Sequence, residues 1–179
     1  MGLVRRMPHD SPDLIAAARG GDSAALGALY DRHARALLAT AYRLLQSLAD
    51  AEDVVHDVFV GLPELLRKYE ERGAFAAWLK TVTARVALAR LRETARHSNI
   101  DDRGQLSVAP RDIDGALSLE AALQKLTPGL RAVLVLKEIE GFSHAEVAKM
   151  LDISVGASEV RLHRALQSLR AMLRTGDDR

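Results

Sequence analysis

Cysteine is absent from the 179 residues. That excludes disulfide scaffolds, thiolate zinc sites and cysteine nucleophiles. Long apolar runs are missing too: none approaches the ~18 residues of a transmembrane helix. The opening residues, Met1 to Pro12, carry Arg5 and Arg6 but no apolar stretch of the kind a secretory signal needs. Pro occurs 5 times and Gly 12 times, so long stretches run without either. An excess of one charge is also lacking, with Lys plus Arg at 25, Asp plus Glu at 24 and a formal net charge of +1. Taken whole, that balance argues against a nucleic-acid partner. What is present is a 48% hydrophobic chain, too apolar to be wholly disordered. The expectation is a soluble, cytoplasmic protein of one or two small domains.

Ala, Leu, Arg and Glu dominate, and period-two alternation of β-branched residues is almost absent, so the chain reads as all-α. A short helix is expected at Asp13 to Arg19, ended by Gly20-Gly21. A second runs from Ser23, as N-cap, to Gln46, with Leu26, Leu29, Leu37, Leu38, Leu44 and Leu45 at helical spacing. A third opens at Asp50, with Glu52 and Asp53 in its first turn beside the positive helix end, and buries Val54, Val55, Val58, Phe59, Leu62 and Leu66. Pro63 would kink that helix if it continues. Lys68 to Gly73 reads as a polar loop, and a fourth helix as Phe75 to Ala95. From His97 to Gly115 the apolar period fails amid Gly104, Pro110, Gly115 and four Asp. The expected division is a loose N-terminus at 1–12, a domain at 13–96, a linker at 97–116, a second domain at 117–175 and a tail at 176–179. The second domain holds four short helices, with Thr127-Pro128 opening one, Gly141 as a stop and Ser143 with Glu146 as a capping box.

Charge by segment tells more than the total. Residues 1–95 hold 13 basic and 12 acidic side chains, 96–116 hold 3 and 4, and 117–179 hold 9 and 8. Inside those sums the signs separate. Asp50, Glu52, Asp53 and Asp57 stand together with no basic residue among them. Lys80, Arg85, Arg90, Arg92 and Arg96 oppose only Glu93. Arg161, Arg164, Arg170 and Arg174, with His163, oppose no acid between 160 and 175. Solvated helix faces explain any one of these runs. Two basic runs that each end a domain raise the nucleic-acid reading. The stretch from Phe142 to Leu169, FSHAEVAKMLDISVGASEVRLHRALQSL, adds a helix-turn-helix pattern. Ala148 permits close approach of two helices, and Val147, Leu151, Ile153 and Leu162 pack them. The turn Asp152-Ile153-Ser154 makes the second helix stand out toward a major groove. No catalytic constellation is present, the six His are scattered, and neither a metal site nor a cofactor is expected.

With these motifs in view the chain resembles bacterial sigma factors of the extracytoplasmic-function group, in the sigma-70 family. The resemblance lies in ALYDRHARALLATAYRLL, ADAEDVVHDVFVGL and GAFAAWLKTVTARVALARLR, then LTPGLRAVLVLKEIEGFSHAEVAKMLDISVGASEVRLHRALQSLR. It spans about Asp13 to Arg174, in the family's domain order. It implies a sigma-2-like helical bundle and a sigma-4-like helix-turn-helix domain joined by a flexible linker. It also implies a non-enzymatic factor that directs core RNA polymerase to promoters.

Residue by residue, the resemblance places Asp50, Glu52, Asp53, Val54, Asp57, Val58 and Phe59 on the clamp helices of the polymerase β′ subunit. It places Lys68, Tyr69, Phe75, Trp78, Lys80, Arg85, Arg90 and Arg92 at the promoter −10 element, where an unstacked base is captured. Core packing is the better-supported role for Trp78. Lys137, Ser154, Glu159, Val160, Arg161, His163 and Arg164 fall at the −35 element. The β flap is a further polymerase contact, and an anti-sigma factor is a candidate partner. Neither a small-molecule substrate nor membrane insertion is implied. The chain departs from the family at Pro63 (usually aromatic), Arg85 (often Asn), Ala89 (Asn or Asp), Ser158 (Val), Glu159 (Lys or Arg) and Val160 (Ser). Glu159 on a groove-facing side repels phosphate, though it can accept from a cytosine amino group. Two alternatives stay open at this point: a dimeric helix-turn-helix operator-binding regulator, and a sigma-like interaction module that has lost promoter reading.

Overall fold

The computed structural model describes residues 10–70, 74–98 and 119–176. Residues 1–9 of the expected loose N-terminus, most of the linker, the end of the tail and the end of the Lys68–Gly73 loop lie outside those residues, whereas Ser11 and Pro12 already belong to the start of the first helix. Among the described residues every regular element is a helix. α1 spans Pro12–Arg19, α2 Ser23–Leu45, α3 Leu48–Val60, α4 Leu62–Leu66 and α5 Phe75–Ser98. α6 spans Leu119–Lys125. α7, at Pro128–Leu134, runs on into a π turn at Val135–Ile139. α8, at His144–Leu151, and α9, at Val155–Gly176, follow.

Local chemistry sets the helix ends. The Ser11 hydroxyl accepts from the Leu14 N–H and opens α1. Asp22, rather than Ser23, caps α2: its carboxylate accepts from the Ala25 N–H at 2.7 Å. α3 opens before Asp50, because the Ser47 hydroxyl accepts the Asp50 N–H at 3.3 Å. Glu52 and Asp53 therefore sit beyond the first turn rather than in it. Gly61 stops α3, and Pro63 lies in the first turn of α4, where its missing N–H is no loss. It marks a boundary and not a kink. The Ser143–Glu146 capping box is complete, with both reciprocal bonds made. Gly141 precedes it in the left-handed region, at φ +81°.

Two apolar clusters hold the fold. One lies within α1 to α5 and contains Ile15, Leu29, Leu37, Val58, Leu62, Leu66 and Leu79. The other crosses between the two expected domains. It joins Ala41, Leu44, Val54, Ala84 and Leu88 to Leu123, Val133, Leu136, Val147 and Ala165. α2 packs against α7 and the π turn, and α5 packs against α8. Each fully buried Leu or Val contributes roughly 1.5–3 kcal/mol, so this joint cluster is a substantial tie. The sequence pattern pointed to two domains joined by a linker; the structure shows them seated on one another.

Candidate functional site

Three surfaces carry the residues singled out above. The first is α3. Glu52, Asp53 and Asp57 are exposed, and Asp50 is half-buried. Val54 and Val58 are only 1% exposed, so they anchor the helix in the core and offer no surface for a partner. Phe59 is partly covered and meets the Tyr30 ring edge-on, with centroids 4.9 Å apart. The outward face of α3 also includes His56 and Val60, the latter 67% exposed, with Tyr30 beside it at 47%. Glu52, His56 and Val60 follow one another at four-residue spacing, which puts them in a row. Sequence reasoning missed that row, although the spacing from Glu52 could have revealed it. The acidic face also has an internal counterion. Arg90, on α5, places Nε 3.3 Å from Asp50 and its terminal nitrogen 3.1 Å from Asp53.

The second surface surrounds the start of α5. Tyr69 and Phe75 are buried, and with Trp78 they form one aromatic cluster. Ring centroids are 4.7 Å apart for Tyr69–Trp78 and 5.7 Å for Phe75–Trp78. Tyr69 thus lines the site and Phe75 packs against Tyr69 and Trp78, and neither is a free ring on which a base could stack. Lys68 is exposed. Together with Trp78 and Lys80 it lines a cavity of about 690 Å³ whose far side is Glu140, Phe142 and Glu146. The basic residues of α5 do not form one stripe. Arg85 and Arg92, two turns apart, share an exposed face. Arg90 points to α3, and Lys80 pairs with Glu140 at 2.9 Å.

The third surface is the helix-turn-helix. α8 ends at Asp152, which takes the left-handed conformation at φ 55°. The Ser154 hydroxyl accepts from the Ala157 N–H at 3.1 Å, so it serves as the cap of α9. Gly156, Glu159, Val160, His163 and Arg164 are exposed on one side of α9. Val160 is 50% exposed. Arg161 is half-buried and lies over the first turn of α7: a side chain at Gly129 would come within 3.7 Å of its guanidinium. It is thus on the inner side of α9, away from Glu159, Val160 and His163. Ser158 is fully buried, and its hydroxyl meets His144 Nδ1 at 2.9 Å. That bond lets a hydroxyl occupy an otherwise apolar position. Lys137 is half-buried in the π turn.

Two residues outside all these predictions tie the surfaces together. Arg131 is buried, and its guanidinium donates to the carbonyls of Leu44, Leu123 and Leu126. Burial lowers its pKa from the ordinary arginine value. Glu140 follows the π turn with its side chain 2% exposed, accepting from the Thr40 hydroxyl at 2.8 Å. Glu146, by contrast, is exposed, and its hydrogen bonds to the Ser143 hydroxyl and N–H hold its carboxyl below the usual range. Among the described residues no helix is long and apolar enough to cross a membrane. Nor is there a group of three His, Asp or Glu that could hold a metal ion.

Comparison with known proteins adds independent evidence. Residues 29–97 match the family model described as Sigma-70 region 2, and residues 116–169 match Sigma-70, region 4. The RNA polymerase sigma factor CarQ of Myxococcus xanthus is 35% identical over 162 residues, covering 87% of this chain and 92% of CarQ. The RNA polymerase sigma factor CnrH of Cupriavidus metallidurans is 34% identical over 187 residues. Its structure with the cytosolic domain of CnrY gives a TM-score of 0.56 at 31% identity, over 91% of this chain and 96% of that one. The sigma factor RpoE of Bartonella quintana, solved with the anti-sigma factor NepR, gives a TM-score of 0.61 over 83% of this chain and 96% of that one. At 24% identity that likeness speaks to the fold alone.

Proposed function

The chain belongs to the extracytoplasmic-function group of the sigma-70 family, and from that membership we propose how its surfaces divide the work. As such a factor it binds core RNA polymerase and directs promoter-specific transcription initiation. One observation carries this reading: both sigma regions match, in order, on one chain. The dimeric operator-binding reading is set aside for that reason.

The exposed carboxylates of α3, Glu52, Asp53 and Asp57, meet basic side chains on the polymerase clamp helices, with Asp50 at the edge. Phe59 and the exposed Val60 supply apolar contact beside them. Charge complementarity there sets the encounter rate and register more than the affinity. Lys68, Trp78 and Lys80 face the −10 strand, and Arg85 and Arg92 contact phosphates along the next turns of α5. On α9, His163 and Arg164 approach the −35 major groove, while Glu159 narrows the choice of base. Ser154, Val160, Lys137 and Arg161 complete that domain, with Ser154 and Arg161 acting by holding α9 in place.

The matched ranges support the division into domains at 13–96 and 117–175. The chain works without chemistry of its own, in the cytoplasm where polymerase and DNA are. The relative CnrH was solved with the cytosolic domain of CnrY, and an anti-sigma factor is a candidate partner here. Run-off transcription with purified core polymerase on a promoter library tests the reading. Discrete transcripts that need this chain are expected. Core binding with no promoter-specific transcript would sink it and leave the module that has lost promoter reading.

A further inference from the structure

The side chain of Glu140 is hidden among residues that belong to the other half of the molecule. Thr40, on α2, donates its hydroxyl to Oε1 at 2.8 Å. Lys80, on α5, places its ammonium 2.9 Å from Oε2. Arg43, on α2, stands 3.9 Å from Oε1. A carboxylate buried this far is costly unless it is paired, and here the main pairing comes from across the interface. Arg131, from the same half as Glu140, repeats the pattern. It donates to Leu123 and Leu126 in its own half and to Leu44 in the other. Leu44 lies in the last turn of α2, where carbonyls have no helical partner and cations are favoured.

The contact covers something. The segment Glu140–Phe142 closes the cavity whose opposite wall is Lys68, Trp78 and Lys80. An ammonium whose charge is already matched by Glu140 attracts a phosphate less. The chain between Ser98 and Leu119 is twenty residues long. Fully extended it reaches up to about 70 Å, ample for the two halves to part. A charged latch suits such parting, since a buried pair specifies one arrangement and removing one member leaves the other uncompensated.

We propose that Glu140 and Arg131 form an intramolecular clasp that seats the second domain on the first, so that the free chain rests closed with Lys80 occupied. The clasp rests on this geometry alone. Its consequence for DNA rests on the −10 reading of Lys80 given above, and the two fail separately.

The lack of native cysteine allows clean labelling. Spin labels on Cys introduced at exposed Ala24 and Gln167 report the distance between the halves by double electron–electron resonance. The unaltered labelled chain should give one narrow distance. Glu140→Gln keeps the shape and loses the charge; Lys80→Met removes the partner instead. Either should broaden the distribution toward longer distances, with helix content unchanged. Distances that stay put in both folded variants overturn the clasp. The same samples are titrated with a fluorescein-labelled single-stranded 12-mer of mixed sequence. Glu140→Gln should bind it about five-fold more tightly, and adding Lys80→Met should cancel the gain. Opening without that gain upholds the clasp and overturns the −10 role of Lys80.

Discussion

Arg131 stands where the ends of two helices meet. Its guanidinium serves carbonyls from the last turns of α2 and α6 at once. Replacing it with Met would keep much of the volume and take this donor from the Leu44 and Leu126 carbonyls, while Leu123 keeps the Leu126 N–H. An unsatisfied buried group costs roughly 1–3 kcal/mol, and the expected loss for Arg131→Met is about 2–4 kcal/mol in urea denaturation. Wild-type stability would show that the carbonyls find other donors. Glu146 gives a prediction in pH. Its carboxyl is held low in the folded chain by Ser143, so its contribution is present above the unfolded pKa. It is lost as pH falls through the folded pKa. Glu146→Gln should lessen the fall in stability on the acid side, measured by thermal melts from neutral pH downward. Neither Arg131 nor Glu140 was legible as special in the sequence. Their partners lie 87 and 100 residues away, and a lone Arg in an apolar run or a Glu before Gly reads as surface. The Ser143–Glu146 box was legible because both members and both bonds lie within four residues.

α3 shows how an element can be right while its faces are misread. Its acidic character was plain in ADAED, and its apolar spacing placed Val54 and Val58 in the core, where they lie; reading the motif as a block set the same two against polymerase. Alternation between core and surface depends on what packs behind the helix. A motif read as a block cannot show that. The pairing of Arg90 with Asp50 and Asp53 was likewise hidden, since α5 had been read as a DNA-facing basic helix. These exposed pairs contribute only about 0.2–1 kcal/mol to stability, yet they tie up carboxylates that a basic partner would want. Arg90→Ala should therefore speed association with core polymerase about two- to five-fold at low salt, by stopped-flow fluorescence, with the gain fading as salt rises. Asp53→Arg should do the reverse and weaken core binding at least ten-fold. Unchanged association in both variants would remove α3 from the polymerase interface. The π turn after α7 was also unread. It arises from a bond between the Glu140 N–H and the Val135 carbonyl, and no residue type announces such a turn in advance.

At the scale of the whole molecule, the near-zero net charge resolves into separate surfaces of opposite sign. Neither basic surface is large, and Glu159 weakens one of them. Useful DNA affinity should come from holding both domains on one polymerase, where the second contact becomes intramolecular. Free chain should bind duplex promoter DNA no better than random duplex at physiological salt, as read by fluorescence anisotropy. A nanomolar, sequence-specific complex without polymerase would contradict this. The two halves and their order were legible because each carries its own local motifs. Their seating was not, because it depends on the cluster that runs from Leu44 to Leu136 across the interface. That shared core has a bearing on the life of the protein in a cell. A chain that stays shut shows proteases and chaperones little apolar surface. One opened with no polymerase to receive it uncovers the side chains the halves had sheltered from each other, and such exposed patches invite capture and cutting. Idle copies would then last as long as they remain shut, so abundance and readiness would be governed by the same contact.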